Sequence, residues 1–389
     1  LILNWNEATD FMIDNDESGV FIGRVWRNTA QGPAVVTVRQ QMVVDITSRA
    51  APTMRDLLEM DDPVSFVRSA GGEPICNVDE LLTRARDGDR HHLLAPMDLQ
   101  AVKACGVTFA RSMVERVIEE RAAGNPAVAA RMRERISKSI GSGLQNVRPG
   151  SPEATQIKAA LIVEGLWSQY LEVGIGPDAE VFTKAQPMSS VGYGADIGLH
   201  PLSKWNNPEP EIVLAIDSKA RVKGVSLGND VNLRDIEGRS ALLLGKSKDN
   251  NASCSVGPFI RLLDENYSLD DVRNAYLELK VVGEDGFVLN GNSSMREISR
   301  DPLDLVAQTI GPNHQYPDGL VLFLGTMFAP IEDRDTKGHG FTHKLGDIVT
   351  IYNQKLGALS NRVALCTECP PWEFGVSHLM RNLASRDFL

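Results

Sequence analysis

Asn206-Asn-Pro-Glu-Pro-Glu-Ile-Val-Leu-Ala-Ile-Asp-Ser-Lys-Ala-Arg-Val-Lys-Gly-Val-Ser-Leu-Gly-Asn-Asp230 is the stretch that decides how this chain is read. Ile212–Ile216 and Val222–Leu227 are apolar, β-branched runs, and the polar segment Ser218–Arg221 between them predicts a hairpin. Strand residues two apart share a face, so Glu209 and Glu211 project together. With a four-residue turn, Glu209 falls opposite Asp230, and three carboxylates converge on one face. Converging carboxylates repel strongly, and a divalent cation relieves that repulsion. An all-oxygen donor set favours Mg²⁺, Mn²⁺ or Ca²⁺ over zinc. The plainer alternative is that Glu-Pro-Glu caps a strand with solvated charge while Asp230 lies in a turn.

Downstream, Leu244-Gly-Lys-Ser-Lys-Asp places Lys246 close in sequence to this acidic trio. A lysine beside a metal acts as a base once its pKa is lowered, or it binds a carboxylate. The alternative is an ordinary surface lysine.

The rest of the composition frames that site. The chain has 389 residues with 40 Lys+Arg against 51 Asp+Glu, a net charge of −11. An acidic chain without a Lys/Arg run argues against nucleic acid or an anionic membrane as partner. A hydrophobic fraction of 42% supports a packed core, and no apolar run approaches the roughly 20 residues of a membrane span. Leu1–Glu7 lacks a basic stretch followed by an apolar core, and five cysteines fit reduced thiols, so a cytoplasmic protein is expected. An anionic substrate would need a local positive charge or a metal.

Along the chain, Gly19–Trp26 and Ala34–Arg39 read as strands, and Thr53–Met60 and Val78–Arg84 as short helices. From Ala110 to Ile140 the pattern is helical, broken at Gly124-Asn-Pro, with Met113, Val117 and Ile118 as the apolar stripe. The flanking charges Glu115, Arg116, Glu119, Glu120 and Arg121 read mainly as a solvated face. A further amphipathic segment covers Ile157–Tyr170, and after Gly174 short strands alternate with turn residues. The expected organisation is an N-terminal mixed α/β domain at 1–104, a helical connector at 105–174 contributing site residues, and a β-rich domain at 175–389.

Several motifs, in order, then carry a resemblance. Pro208-Glu-Pro-Glu-Ile, Gly228-Asn-Asp-Val-Asn-Leu-Arg-Asp, Gly245-Lys-Ser-Lys-Asp, Val256-Gly-Pro and Leu324-Gly-Thr-Met-Phe-Ala-Pro resemble those of the fumarylacetoacetate hydrolase family. The resemblance implies an α+β fold with a mixed β-roll catalytic domain, and Mg²⁺ or Mn²⁺ held by Glu209, Glu211 and Asp230. It also implies that Gly325 and Thr326 hold the substrate carboxylate, and that the protein is a homodimer or homotetramer.

The family includes hydrolases, decarboxylases, isomerases and dehydratases, so the fold alone does not choose the reaction. Its hydrolases usually carry a Gly-x-Asn-Tyr-x-x-His-x-x-Glu-like segment whose His helps activate water. Here Gly106-Val-Thr-Phe-Ala-Arg-Ser-Met-Val-Glu115 has Ser112 at the His position and keeps Glu115. A hydroxyl is a poor general base at neutral pH, so C–C hydrolysis is disfavoured. The region Arg111–Tyr170, Gly165–Val173, Asp235–Ser240 and Pro371–Ser377 resemble the family's bacterial 2-keto-3-deoxy-D-xylonate dehydratases. That resemblance implies dehydration of a 2-keto-3-deoxypentonate, with the D-enantiomer expected, to 2,5-dioxopentanoate. Lys246 and Glu115 would share the acid and base roles, and Ser112 would line the substrate. The alternative within the family is a hydrolase or decarboxylase of a dioxo acid.

Two other signals are set aside. Cys366-Thr-Glu-Cys369 is a single CxxC, more consistent with structural thiols than with zinc or redox chemistry. His339 and His343 lie four apart, but Gly338 and Gly340 oppose a metal-binding helix and favour a loop, read as a lid.

Overall fold

The computed structural model describes residues 19–83, 91–131 and 147–389. The first residues of the chain, the Asp87-Gly-Asp turn and the helical continuation through Met132 and Ile136 lie outside them.

The described residues form a mixed α+β fold built on two sheets. Its strands are β1 (Phe21–Arg27), β2 (Gly32–Arg39), β3 (Met42–Asp45), β4 (Glu73–Asn77), β5 (His92–Leu94), β6 (Ala101–Gly106), β7 (Glu180–Ala185) and β8 (Asp196–Leu199). They continue with β9 (Pro210–Ile216), β10 (Val222–Asp230), β11 (Cys254–Leu262), β12 (Tyr276–Val282), β13 (Val288–Ser294), β14 (Leu320–Phe323), β15 (Ile348–Asn353) and β16 (Gly357–Leu365). The larger sheet runs β4-β3-β2-β1-β11-β10-β9-β14-β6-β7, with β5 also on β1; the smaller runs β13-β12-β15-β16-β8. Only β14/β6 and β16/β8 pair in parallel; the other pairings within these sheets are antiparallel.

The hairpin predicted from Asn206–Asp230 forms as β9 and β10, longer at both outer ends than the apolar runs alone suggest. Pro210 is tolerated because it opens its strand. Every residue of β9 is buried, as expected of a central strand covered on both faces. Ile212, Leu214 and Ile216 pack with Leu277, Leu279 and Val281 of β12 and with Ile351 of β15, in the core between the sheets. Val213, one step out of phase, packs on the opposite face with Ala104, Val256 and Phe323. The turn is held by Asp217, whose carboxylate accepts from the backbone N–H groups of Lys219 and Arg221. A bulge between Val222 and Gly224 shifts the register near the turn, and beyond it Glu211 pairs with Gly228.

The N-terminal elements form much as expected, with Thr53 capping the helix Met54–Glu59 through its side chain. Yet β1 pairs with β11 and β6 with β14, so backbone hydrogen bonds run without a break across the expected boundaries at 104 and 174. Helices Ala110–Arg121 and Gln169–Ile175 pack on each other through Met113, Val117, Ile118, Tyr170 and Leu171. No helix among the described residues is long and apolar enough to cross a membrane.

Candidate active site

Glu209, Glu211 and Asp230 meet where β9 begins and β10 ends. The Asp230 N–H donates to the Glu209 carbonyl at 3.1 Å, which places the two residues opposite each other as the hairpin register requires. One carboxylate oxygen from each of the three lies within 4.8 Å of the others. All three residues are buried, at 6%, 2% and 1% exposure, so solvent does not screen their repulsion. Burial, followed by the Asp230 and Glu209 charges, pushes the Glu211 carboxyl well above the usual carboxylate range. Burial works the same way on Asp230, but Lys184 and Lys248 hold it below that range. A compact, buried, all-oxygen donor set of this kind fits Mg²⁺ or Mn²⁺.

Cations and amides orient the trio. Arg116 Nη2 donates to Glu209 Oε1 at 2.7 Å, and Asn232 Nδ2 donates to the same oxygen at 3.1 Å. Lys248 Nζ donates to Glu209 Oε2 at 2.6 Å and to Asp230 Oδ2 at 3.0 Å. Lys184 Nζ lies 3.0 Å from Asp230 Oδ1 and is fully buried. Glu211 Oε2 accepts from the Gly325 N–H at 2.6 Å. Gly325 has φ +87°, and a Cβ there would lie 2.1 Å from Thr108 Oγ1, so the turn needs glycine.

The helix Ala110–Arg121 supplies another wall. Ser112, Glu115, Arg116 and Glu119 line the cavity at helical spacing. Three of the charges expected on a solvated face therefore turn inward, because the apolar stripe and this polar stripe are buried against different neighbours. Arg116 also bonds Glu119 at 2.8 Å and lies 3.1 Å from Glu237. Arg234 is buried over the Trp205 ring, donating to Glu119 at 2.6 Å and to Glu115 at 3.4 Å. The Ser112 hydroxyl is engaged with its own helix start, donating to the Phe109 carbonyl at 2.9 Å and accepting the Phe109 N–H at 3.3 Å.

Of the residues nominated from sequence, Glu115, Ser112, Glu209, Glu211, Asp230, Gly325 and Thr326 all line one cavity. Lys246 does not: it is exposed on the short helix Leu244–Lys248, and Lys248, two residues on, stands at the trio instead. Residues two apart on a helix point about 200° apart, so only one of the two lysines can face inward. The Gly325 N–H, expected to hold a substrate, is engaged by Glu211, leaving Thr326, whose Oγ1 accepts the Phe328 N–H at 3.1 Å. Sequence reasoning missed Lys184, Lys248, Arg234 and Glu237, and it took Arg116 and Glu119 for solvated charges. Lys248 and Arg234 lay inside quoted motifs; Lys184 carried no local signal.

The CxxC thiols are free, and neither joins a metal-ligating group among the described residues. His343 lies outside any helix, as expected, and is buried against Asp347 at 3.2 Å.

Comparison with known proteins agrees with this geometry. Residues 175–364 match the family model described as Fumarylacetoacetate (FAA) hydrolase C-terminal. Over 183 residues the chain is 33% identical to the 2-dehydro-3-deoxy-D-arabinonate dehydratase of Saccharolobus solfataricus, covering 46% of this chain and 57% of that protein. It is 28% identical over 194 residues to a probable 2-keto-3-deoxyxylonate dehydratase of Haloferax volcanii, covering 50% of this chain and 63% of that protein. The chain thus spans less than two thirds of the length of either relative. A solved 2-keto-3-deoxy-D-arabinonate dehydratase complexed with magnesium and 2,5-dioxopentanoate shares the fold, with a TM-score of 0.61 and 20% identity, over 89% of this chain and 99% of that one. The region that supplies the acidic trio, Lys184, Arg234, Lys248 and the Gly325 turn therefore matches a domain of the fumarylacetoacetate hydrolase family, and the chain is similar to that family through it.

Proposed function

We propose that this protein is a Mg²⁺-dependent hydro-lyase that converts a 2-keto-3-deoxypentonate into 2,5-dioxopentanoate. The observation that carries the reading is the buried carboxylate trio with Lys248 and Glu115 lining the same cavity. The names of the two curated relatives, and the magnesium and 2,5-dioxopentanoate in the structural neighbour, support the same chemistry.

Mg²⁺, or Mn²⁺ in its place, would be held by Glu209, Glu211 and Asp230, supplying a counter-charge for the substrate carboxylate and polarising the C2 ketone. Glu115 and Lys248 between them remove a C3 proton and protonate the departing C4 hydroxyl. Arg234 orients Glu115, and Arg116 and Asn232 fix the angle of Glu209. Ser112 and Thr326 stand on the walls where the substrate polar groups lie. The engagement of Ser112 with the Phe109 backbone opposes the hydrolase alternative, since that hydroxyl is not placed to activate water. In this reading the D-enantiomer is the substrate, and the protein is a cytoplasmic homodimer or homotetramer with no nucleic-acid or membrane partner.

The test is incubation with D- and L-2-keto-3-deoxypentonate and Mg²⁺, following 2,5-dioxopentanoate through a coupled aldehyde dehydrogenase. Product from the D-enantiomer that disappears with chelator is the expected result. No product from either enantiomer would overturn the proposal. Light scattering of the eluting protein checks the assembly.

A further inference from the structure

Two buried amide oxygens stand in the cavity with no part in the steps above. Asn207 and Asn232 both line it beside the acidic trio, at 2% and 1% exposure. Their backbones exchange hydrogen bonds, N–H to carbonyl, at 3.1 Å in both directions. They are therefore directly opposite each other, one pair further from the hairpin turn than Glu209 and Asp230. The pairing runs from Glu211–Gly228 through Glu209–Asp230 to Asn207–Asn232 with no register shift. Alternation along both strands then puts the two amides on the face that carries Glu209 and Asp230.

Both amides are fixed end for end. Asn232 Nδ2 donates to Glu209 Oε1 at 3.1 Å, and Asn207 Nδ2 donates to the Pro208 carbonyl at 2.8 Å. A carboxylate and a carbonyl only accept, so each amide must turn its own oxygen the other way. Neither Oδ1 meets a donor among the described residues. The carboxylates around them are matched by cations: Asp230 by Lys184 and Lys248, Glu209 by Arg116 and Lys248, Glu237 by Arg116. A buried acceptor left unmet is costly, and two side by side call for a ligand that brings two donors.

We infer that Asn207 Oδ1 and Asn232 Oδ1 accept the hydroxyl protons of the C4–C5 diol, so that this pair selects a hydroxylated 2-keto acid. The inference rests on the dehydratase reading above. A substrate chelated through its C1 carboxylate and C2 ketone carries its remaining oxygens on two neighbouring carbons further along the chain. The amide pair lies one strand repeat, about 7 Å, beyond Glu209 and Asp230, on the same face. A dioxo acid would set carbonyl oxygens against these two acceptors and be rejected. The product does the same once C4 has lost its hydroxyl and C5 has become an aldehyde, so the pair holds substrate and releases product.

The probes are 3-deoxypentonate, which is the substrate with its ketone reduced, and 2-hydroxypentanoate, which lacks the diol. Both chelate a metal through hydroxyl and carboxylate, and neither eliminates water, because no ketone acidifies C3. In calorimetry on the Mn²⁺-loaded protein, wild type is expected to bind 3-deoxypentonate about 10-fold or more tightly than 2-hydroxypentanoate. Asn207→Leu removes one acceptor at similar size and should cut that preference to about threefold or less, with Mn²⁺ affinity within about twofold. Its kcat/KM for the keto substrate should fall about 10-fold. Asn207→Asp, which keeps an acceptor in the same volume, should retain the preference. Equal affinity of wild type for the two probes overturns the inference, and is the result if these oxygens hold an ordered water only. An undiminished preference in Asn207→Leu overturns it as well. A wild type that turns over 2-keto-3-deoxypentonate but does not distinguish the probes overturns this inference alone. An inactive wild type that prefers 3-deoxypentonate overturns the dehydratase reading and supports the diol site.

Discussion

Arg116 Nη2 donates to Glu209 Oε1 at 2.7 Å, so a residue of the helical layer holds a carboxylate of the central hairpin in place. This contact ties the helix Ala110–Arg121 to the strand pair that would carry the metal. Its neighbours Glu119 and Glu237 anchor the same guanidinium, which leaves it little freedom to turn away.

Replacing Arg116 by Gln should weaken Mn²⁺ binding by about 10- to 100-fold, the usual cost of losing an outer contact that orients a metal ligand. Calorimetric titration of the metal-free protein checks this. An unchanged affinity would show that Asn232 and Lys248 suffice to orient Glu209.

Lys248→Met should lower turnover by about 10²- to 10⁴-fold, the range for loss of a positioned acid or base. Lys246→Ala, altering an exposed side chain on the same short helix, should stay within about twofold. Coupled assay of the two variants side by side separates the two lysines. The reverse ranking would return the catalytic role to Lys246.

Glu211 makes the metal-free protein pH-sensitive. Its folded-state pKa lies above the unfolded value of about 4.3, with burial as the main cause. Below that pH both states are protonated and the site costs nothing. As pH rises the unfolded chain ionises first, and the stability conferred by the protonated carboxyl is lost on passing through the folded pKa. In chelator, Glu211→Gln should therefore be the more stable protein at pH 8, by a margin that shrinks towards pH 4. Mg²⁺ should reverse that order by stabilising wild type selectively, by about 2.7 kcal/mol at 100 times its Kd. Thermal melts across pH, with and without Mg²⁺, read both effects.

Asp347 accepts from Arg334 at 2.6 and 2.8 Å, and both side chains are only 1% exposed. Asp347→Asn removes the fully buried one of the two carboxylates that pair with that guanidinium, leaving only the partly exposed Asp285, and should cost about 3 kcal/mol in urea unfolding. Phe328 and Ala329 line the cavity on the chain segment just before Arg334, so KM should rise as well. A variant of wild-type stability would mean that Asp285, 3.0 Å from Arg334, carries the pair alone.

The carboxylate trio was legible because its geometry is local: one hairpin, one turn length and alternation along a strand fix three side chains at once. Glu115 and Ser112 were reached only through the family resemblance, since nothing in the helix pattern distinguishes them from solvated charge. Arg116 and Glu119 were misread for that reason: which polar face of a helix is covered depends on what packs against it. Between Lys246 and Lys248 the difference is a half-turn of a five-residue helix, finer than periodicity resolves. The pairing of β1 with β11, and of β6 with β14, joins residues more than 200 positions apart, and no local signal announces such contacts. Lys184 and Glu180 reach the cavity only because β7 takes the far edge of that sheet.

The shared sheet also makes the two ends of the described chain mechanically dependent on each other. The C-terminal helix Val376–Ser385 and the residue after it fasten the β1–β2 hairpin, through Asn382 on the Ala30 carbonyl and Arg386 on the Pro33 carbonyl. That hairpin clamps β11, and β11 pairs Cys254 with Asp230. Trimming the last dozen residues would thus slacken a strand whose other edge pairs with Asp230 of the carboxylate trio.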